Sequence, residues 1–227
     1  MKVSGSLLRR FAFALSALAL AGCGDQPGSA NADAQDTAQR SSVERPDDMA
    51  FGDPNAPITL IEYASVTCPF CASFHAETLP QIKSEWIDEG KVRFIFRELP
   101  SPPIPLSMAG FITARCAGAE GGTDKYFAVI DVLFRTQREW ITNQDPRGEL
   151  LTIARSAGLS EDQFDACLND PSYVETITDI VQEGGAKYDA RSTPTFIVNG
   201  EKYNLTNAEP GYVTLERAFN KALGVDG

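Results

Sequence analysis

Metal-binding side chains are scarce in this chain: its 227 residues include one histidine and five cysteines, and only Cys68 and Cys71 stand close together. A closed zinc site needs four ligands, and beyond that pair the sequence offers Cys23, Cys116, Cys167 and His75, with no second pair among them. Covalent haem attachment requires histidine directly after the second cysteine of a C-x-x-C pair, and Ala72 stands there instead. Basic charge is also in deficit. The formal net charge is −11, which argues against nucleic acid and against electrostatic docking to anionic lipid heads. Solubility is the simplest account of that charge. No internal repeat is visible, and the longest apolar run is too short to cross a bilayer comfortably.

That run has another use. Lys2, Arg9 and Arg10 precede Phe11 to Ala21, an uncharged stretch with the length of a signal-peptide core. Export is therefore expected, with residues 1–22 as the leader. Leu20-Ala21-Gly22-Cys23 resembles the lipobox of bacterial lipoproteins, in which the leader is cut before the cysteine and that cysteine, here Cys23, is lipidated. A plain signal peptide with a chance cysteine is the competing reading. Gly24 rather than Asp follows Cys23, so the usual inner-membrane retention signal is absent, and with Asp25 one place later the receiving membrane stays open. Residues 23–48 are rich in small and polar residues, with Val43 as the only large aliphatic one. Such a stretch cannot bury enough surface to fold and is expected to be a disordered tether. Residues 49–227 suffice for one domain with a real core.

Cys68-Pro69-Phe70-Cys71 closes a strand-like run and opens a helix-like one. A sulfur in the first turn of a helix meets unpaired backbone N–H groups and the positive end of the macrodipole. That field favours the thiolate, the form that attacks disulfides. Pro69 suits the first helical position, where its missing N–H is not needed. Cys68 is therefore read as the nucleophile and Cys71, a turn deeper, as the resolving thiol; half of a zinc site is the alternative. With Cys23 lipidated, four thiols remain in a disulfide-permissive compartment. Cys116 and Cys167 lie on apolar helical faces and are expected to form a structural disulfide, two buried free thiols being the alternative. His75, four residues after Cys71 on the same helical face, is conceivable as a third metal ligand. A single histidine on a helix is more often packed or at the surface, so no metal and no catalytic role is assigned to it.

Hydrophobic periodicity orders the rest. Ile58, Leu60, Ile61 and Tyr63 form the nearly continuous apolar run of a central strand. Leu79, Ile82 and Trp86 follow a helical spacing that Pro80 should kink and Gly90 should end. Val92, Phe94 and Phe96 alternate with Arg93, Ile95 and Arg97 as a second strand. From about 100 to 190 the period is helical throughout, four or five helices, with Ser160 and Gln163 as a capping box. Asn199-Gly200 separates two short strands as a type I′ hairpin would, and Tyr212, Leu215, Phe219 and Leu223 share one face of a last helix.

This order resembles an α/β thioredoxin-like fold with an inserted α-helical domain, the arrangement of the DsbA-like thiol-disulfide oxidoreductases. The residues that carry the resemblance are Cys68-Pro69-Phe70-Cys71, Ser192-Thr193-Pro194-Thr195-Phe196, and Glu62 six positions before Cys68. It implies that Pro194 is a cis-proline facing the active-site sulfurs and that Thr193 offers its backbone to a client chain, with Pro69 and Phe70 beside it. An ordinary trans bond is the base rate for prolines outside such a context. Glu62 shares a strand face with Ile58 and Leu60 and so points inward, where a carboxylate must stay protonated or find a partner. The resemblance implies that it shuttles the proton of the buried second cysteine; a purely structural carboxylate is the alternative. The best-studied oxidants of the family carry histidine where this chain has Phe70. With that polar contribution gone and the helix field kept, the pKa of Cys68 is expected between the ~3.5 of the strongest oxidants and the ~7 of thioredoxin.

The function expected is periplasmic thiol-disulfide exchange with exported client proteins, as an oxidase, without a cofactor. The resemblance implies a quinone-linked membrane protein that reoxidises the pair. A lipid-anchored monomer is expected. A reductase or isomerase is the alternative within the class; isomerases of this superfamily usually carry a dimerisation domain, and the tether has no apolar pattern to build one. A periplasmic copper or zinc carrier using the same cysteines is the alternative outside it.

Overall fold

The computed structural model describes residues 43–205 and 211–225. The expected leader, Cys23 and the tether up to residue 42 lie outside the described residues. Strands β1 (Met49–Phe51), β2 (Ile58–Ala64), β3 (Val92–Glu98), β4 (Thr195–Val198) and β5 (Glu201–Tyr203) form one sheet in the order β1-β3-β2-β4-β5. Only β2 and β3 pair in parallel, with Ile58 opposite Val92 and Ala64 opposite Glu98; the remaining pairs are antiparallel. A parallel pair needs a crossover, and helix α1 supplies it between residues 69 and 87.

α1 is not uniform. It runs as Pro69–Ser73, a π turn Phe74–Thr78, a short α segment Leu79–Ile82 and a second π turn Lys83–Ile87. Pro80 has no N–H to give and would clash with the carbonyl one turn back, and the widened turns on either side absorb it. The helix ends at Gly90, whose φ of 70° is the left-handed conformation glycine adopts without cost.

Both faces of β2 are covered, which explains its continuous apolar run. Ile58, Leu60, Phe94, Phe96 and Phe196 face α1 and the helical insertion, while Ile61, Tyr63, Ile95 and Ile197 face Ile180 and Tyr188. The insertion comprises α2 (Ile104–Arg135), α3 (Gln137–Thr142), α4 (Pro146–Ser156), α5 (Glu161–Leu168) and α6 (Pro171–Tyr188). α2 bends where Gly121 and Gly122 leave helical geometry. Ser160 and Gln163 form the reciprocal cap of α5. α6 lies so close to β2 that a Cβ on Gly184 would sit 2.4 Å from the Tyr63 ring. Glu98, fully buried at the end of β3, ties the insertion to the sheet: Arg115 Nε lies 2.7 Å from one carboxylate oxygen and Tyr126 donates to the same oxygen at 2.8 Å. Asn199 and Gly200 both take positive φ in the β4–β5 hairpin, and α7 (Gly211–Ala222) packs Phe219 against Trp86.

The folded body begins earlier than the composition suggests. Val43 is buried against the second face of the sheet. Arg97, in apparent alternation with the apolar residues of β3, is itself fully buried and donates a bidentate pair to Asp48 at 2.8 Å on each oxygen, and further bonds to the Val43 carbonyl at 2.7 Å and the Tyr63 hydroxyl at 2.8 Å. A guanidinium inside the protein needs such partners. Residues 43–48 supply them, so they belong to the domain and not to the tether that was expected to reach residue 48.

Candidate active site

The strand and helix that hold Cys68 are placed by sequence features already described. β2 delivers the chain to the centre of the sheet edge, and Cys68 becomes the N-cap of α1 with Pro69 in the first turn. Its sulfur is nearly buried and receives the Cys71 backbone N–H at 3.4 Å. Thr193–Pro194 is a cis peptide, and the Thr193 carbonyl lies 3.4 Å from the Cys68 sulfur, accepting from it when it is a thiol. Phe70 is 69 % exposed beside them, so an apolar surface flanks the Cys68 sulfur.

The two sulfurs, both free thiols here, differ sharply in acidity. Cys68 is drawn down to about 6: the Cys71 thiol hydrogen-bonds to it, burial opposes, and the Thr193 side chain and the backbone N–H groups of Cys71 and Phe70 add to the stabilisation. Cys71 is driven far up, chiefly by burial, then by its hydrogen bond to Cys68 and by the negative charge of Glu62. One sulfur is therefore a thiolate near neutral pH and the other keeps its proton.

Glu62 is fully buried, and its Oε2 lies 2.8 Å from His75 Nε2. Among the described residues its Oε1 has no hydrogen-bond partner. His75 is packed, stacked on Phe134 with ring centroids 4.1 Å apart, and it also provides the partner that an inward carboxylate on β2 requires. The i to i+4 spacing from Cys71 was the only hint of this in the sequence. A Cys68, Cys71 and His75 ligand set is not favoured: the imidazole is turned to Glu62, and among the described residues no three metal-ligating side chains gather.

Two supports had no sequence signal. Gln137, at the start of α3, donates to the carbonyls of Val66 and Cys68 at 2.9 and 3.0 Å, clamping the active-site turn to the insertion. Thr67 donates to the Ser101 carbonyl at 2.9 Å, which fixes the loop carrying the cis Pro102–Pro103 bond beside the same turn. Away from the site, Cys116 and Cys167 are joined by a disulfide with Cα atoms 6.0 Å apart, linking α2 to α5.

Known proteins agree with this geometry. The sequence model of the thioredoxin family matches residues 44–215. A Rickettsia typhi protein named as a protein-disulfide oxidoreductase is 30 % identical over 182 residues, 78 % of this chain and 62 % of its own length. This chain thus spans about six-tenths of that relative. The disulfide bond formation protein D of Bacillus anthracis is 26 % identical over 181 residues, covering 77 % of this chain and 78 % of that protein. Among solved structures, α-DsbA1 of Wolbachia pipientis superposes with a TM-score of 0.66 at 29 % identity, covering 82 % of this chain and 95 % of that one. Oxidised BdbD of Bacillus subtilis shares the fold, with a TM-score of 0.69 at 21 % identity over 78 % of this chain and 93 % of that one.

Proposed function

This chain belongs to the thioredoxin family, in its DsbA-like form, and from that premise we propose that it is a protein thiol-disulfide oxidoreductase of the cell envelope, acting as an oxidase of exported proteins. The observation that carries the proposal is the asymmetry of the pair, with Cys68 drawn down to about 6 and Cys71 buried and driven up. A stabilised thiolate favours the reduced protein, and a disulfide whose reduced form is stabilised is a stronger oxidant.

In the oxidase direction, a client thiolate attacks the Cys68 sulfur, the Cys68–Cys71 bond breaks, and Cys71 leaves and takes a proton. A second client thiolate then attacks the client sulfur of the mixed disulfide, and Cys68 departs as its stabilised thiolate. The client gains a disulfide and the protein holds both electrons, which a quinone-linked membrane protein would remove. Thr193 offers its backbone to the client chain in strand-like pairing, and Pro69 and Phe70 supply the apolar contact. Supporting this role, the Thr193 carbonyl and the exposed Phe70 flank the sulfur at which exchange begins. The protein acts as a monomer, anchored by lipid on Cys23. The anchor rests on Leu20-Ala21-Gly22-Cys23 behind an uncharged run.

Two experiments test the proposal together. Acid trapping in cells should find Cys68 and Cys71 mostly as the disulfide; a mostly reduced pair would make the protein a reductase or isomerase. Cys71→Ser should accumulate mixed disulfides with client proteins while Cys68→Ser accumulates few. Absence of trapped complexes from Cys71→Ser would remove the oxidoreductase reading. For the anchor, wild-type protein should fractionate with membranes and Cys23→Ala should not; a freely soluble wild type without lipid mass would rule it out.

A further inference from the structure

A cleft of about 600 Å³ opens between α1 and α2, and His75 forms part of its wall. Leu79, Phe127 and Ile130 give it an apolar lining, and Lys83, Asp88, Asp124 and Asp131 stand exposed around it. His75 Nε2 is held by Glu62, whose second oxygen is buried without a partner among the described residues. Glu62 is near enough to Cys71 for its charge to help keep that thiol protonated. Cys71 itself has no exposed surface, so its proton cannot be exchanged directly with water. Yet every cycle of exchange must add a proton to Cys71 or remove one.

We propose that His75 is a relay and positioning residue, which connects the buried Glu62 carboxylate, and through it Cys71, to water in the α1–α2 cleft. The inference rests on the oxidoreductase reading and deepens it. When Cys71 attacks a mixed disulfide on Cys68, its proton is taken up at Glu62 Oε1, the proton held between Oε2 and Nε2 shifts onto the imidazole, and the imidazole sheds one to cleft water. The new Cys68–Cys71 bond forms as the client or glutathione thiolate leaves. In the opposite direction, a departing Cys71 thiolate draws a proton in along the same path. The titratable and charged groups around His75 are Glu62 from β2 and the ring of Lys83, Asp88, Asp124 and Asp131 around the cleft, with Phe74, Phe94, Phe96 and Phe134 supplying the apolar packing. Two of the rim acids are already paired, Asp88 with Lys83 and Asp131 with Arg135, so the imidazole is the titratable group that joins cleft to carboxylate.

The test uses the full chain with glutathione linked to Cys68 and follows its release by Cys71 in a stopped-flow instrument between pH 5 and 9. His75→Gln keeps a donor for Glu62 but cannot relay; release should slow about tenfold and lose the low-pH limb of its pH profile. His75→Ala should be slower still and be restored by added imidazole entering the cleft. Leu79→Trp, at a half-exposed position, should slow release with His75 intact by narrowing the cleft. The alkylation rate of Cys68 should be unchanged in all three. Unaltered release rates and pH profiles in folded His75→Gln and Leu79→Trp, or no rescue by imidazole, would overturn the relay. Failure of the wild type to release glutathione at all would instead strike at the oxidoreductase reading.

Discussion

The backbone N–H of Cys71 points at the sulfur of Cys68 across 3.4 Å, so the more deeply buried residue of the pair helps hold negative charge on the other's sulfur. The helix start makes this possible, since its first N–H groups have no carbonyl to bond. Reactivity and stability then vary with pH through the same sulfur.

The reduced protein should gain stability over the oxidised form as pH rises from 5 to 8.5. Cys68, depressed to about 6, contributes stability that is lost as pH falls through that value and is full above the ordinary thiol range. Cys71, driven up, contributes below the ordinary thiol value and fades only above it, so it does not oppose the gain in this window. At 1.36 kcal/mol per unit, the difference is on the order of 3 kcal/mol. Urea midpoints of both forms at the two pH values measure it, and alkylation of Cys68 should titrate near 6 while Cys71 stays slow. A reduced-minus-oxidised difference that is flat with pH would contradict the assignment.

The Cys116–Cys167 bridge closes a separation of 51 residues, worth roughly 4 kcal/mol in the chain-entropy account. Replacing both cysteines with alanine should lower the unfolding free energy by about that amount and leave the alkylation pKa of Cys68 unchanged, because the bridge joins α2 to α5, away from the active-site turn. A shift in the Cys68 titration would show that the insertion couples to the site through this bond rather than through Gln137.

Asp48→Asn removes the closer of the two carboxylates at the buried Arg97, leaving Glu183 3.9 Å away, and should cost about 3 kcal/mol, the lower end of the range for breaking one side of a buried pair. A chain beginning at Met49 should be destabilised at least as much, since it loses Val43 as well. Equal denaturation midpoints for chains beginning at residues 43 and 49 would return residues 43–48 to the tether.

What the sequence discloses and what it hides follow from range. The β2 run, the α5 capping box, the Asn199-Gly200 hairpin and the Cys68 helix start depend on neighbours in the chain, and short patterns carry them. Arg97 was opaque because strand alternation reports burial only where one face is solvated, whereas this sheet is covered on both. Composition likewise marks 43–48 as unable to fold alone, and they do not; they fold on the buried Arg97. The contacts of His75 with Glu62 and of Gln137 with the active-site turn join residues 13 and about 70 positions apart, and no local pattern encodes them.

Phe70 occupies the position at which a charge would act most directly on the Cys68 sulfur. Its backbone N–H helps stabilise the Cys68 thiolate, but its side chain is 69 % exposed and brings no charge. Phe70→His would place an imidazole in the first turn of α1, within reach of the thiolate, with little change in packing because the position is already solvated. An imidazolium near a thiolate favours the charged form. The alkylation pKa of Cys68 should therefore fall below 6, by about one unit, and since ~1.4 kcal/mol corresponds to ~30 mV for a two-electron couple, the disulfide should become more oxidising by about that amount. Equilibration with glutathione at pH 7 measures the potential, and iodoacetamide kinetics the pKa. Both must move together: a lower pKa without a higher potential would mean that the oxidised form had been stabilised equally, and an unchanged pKa would mean that the backbone N–H groups and the Cys71 thiol already saturate the sulfur.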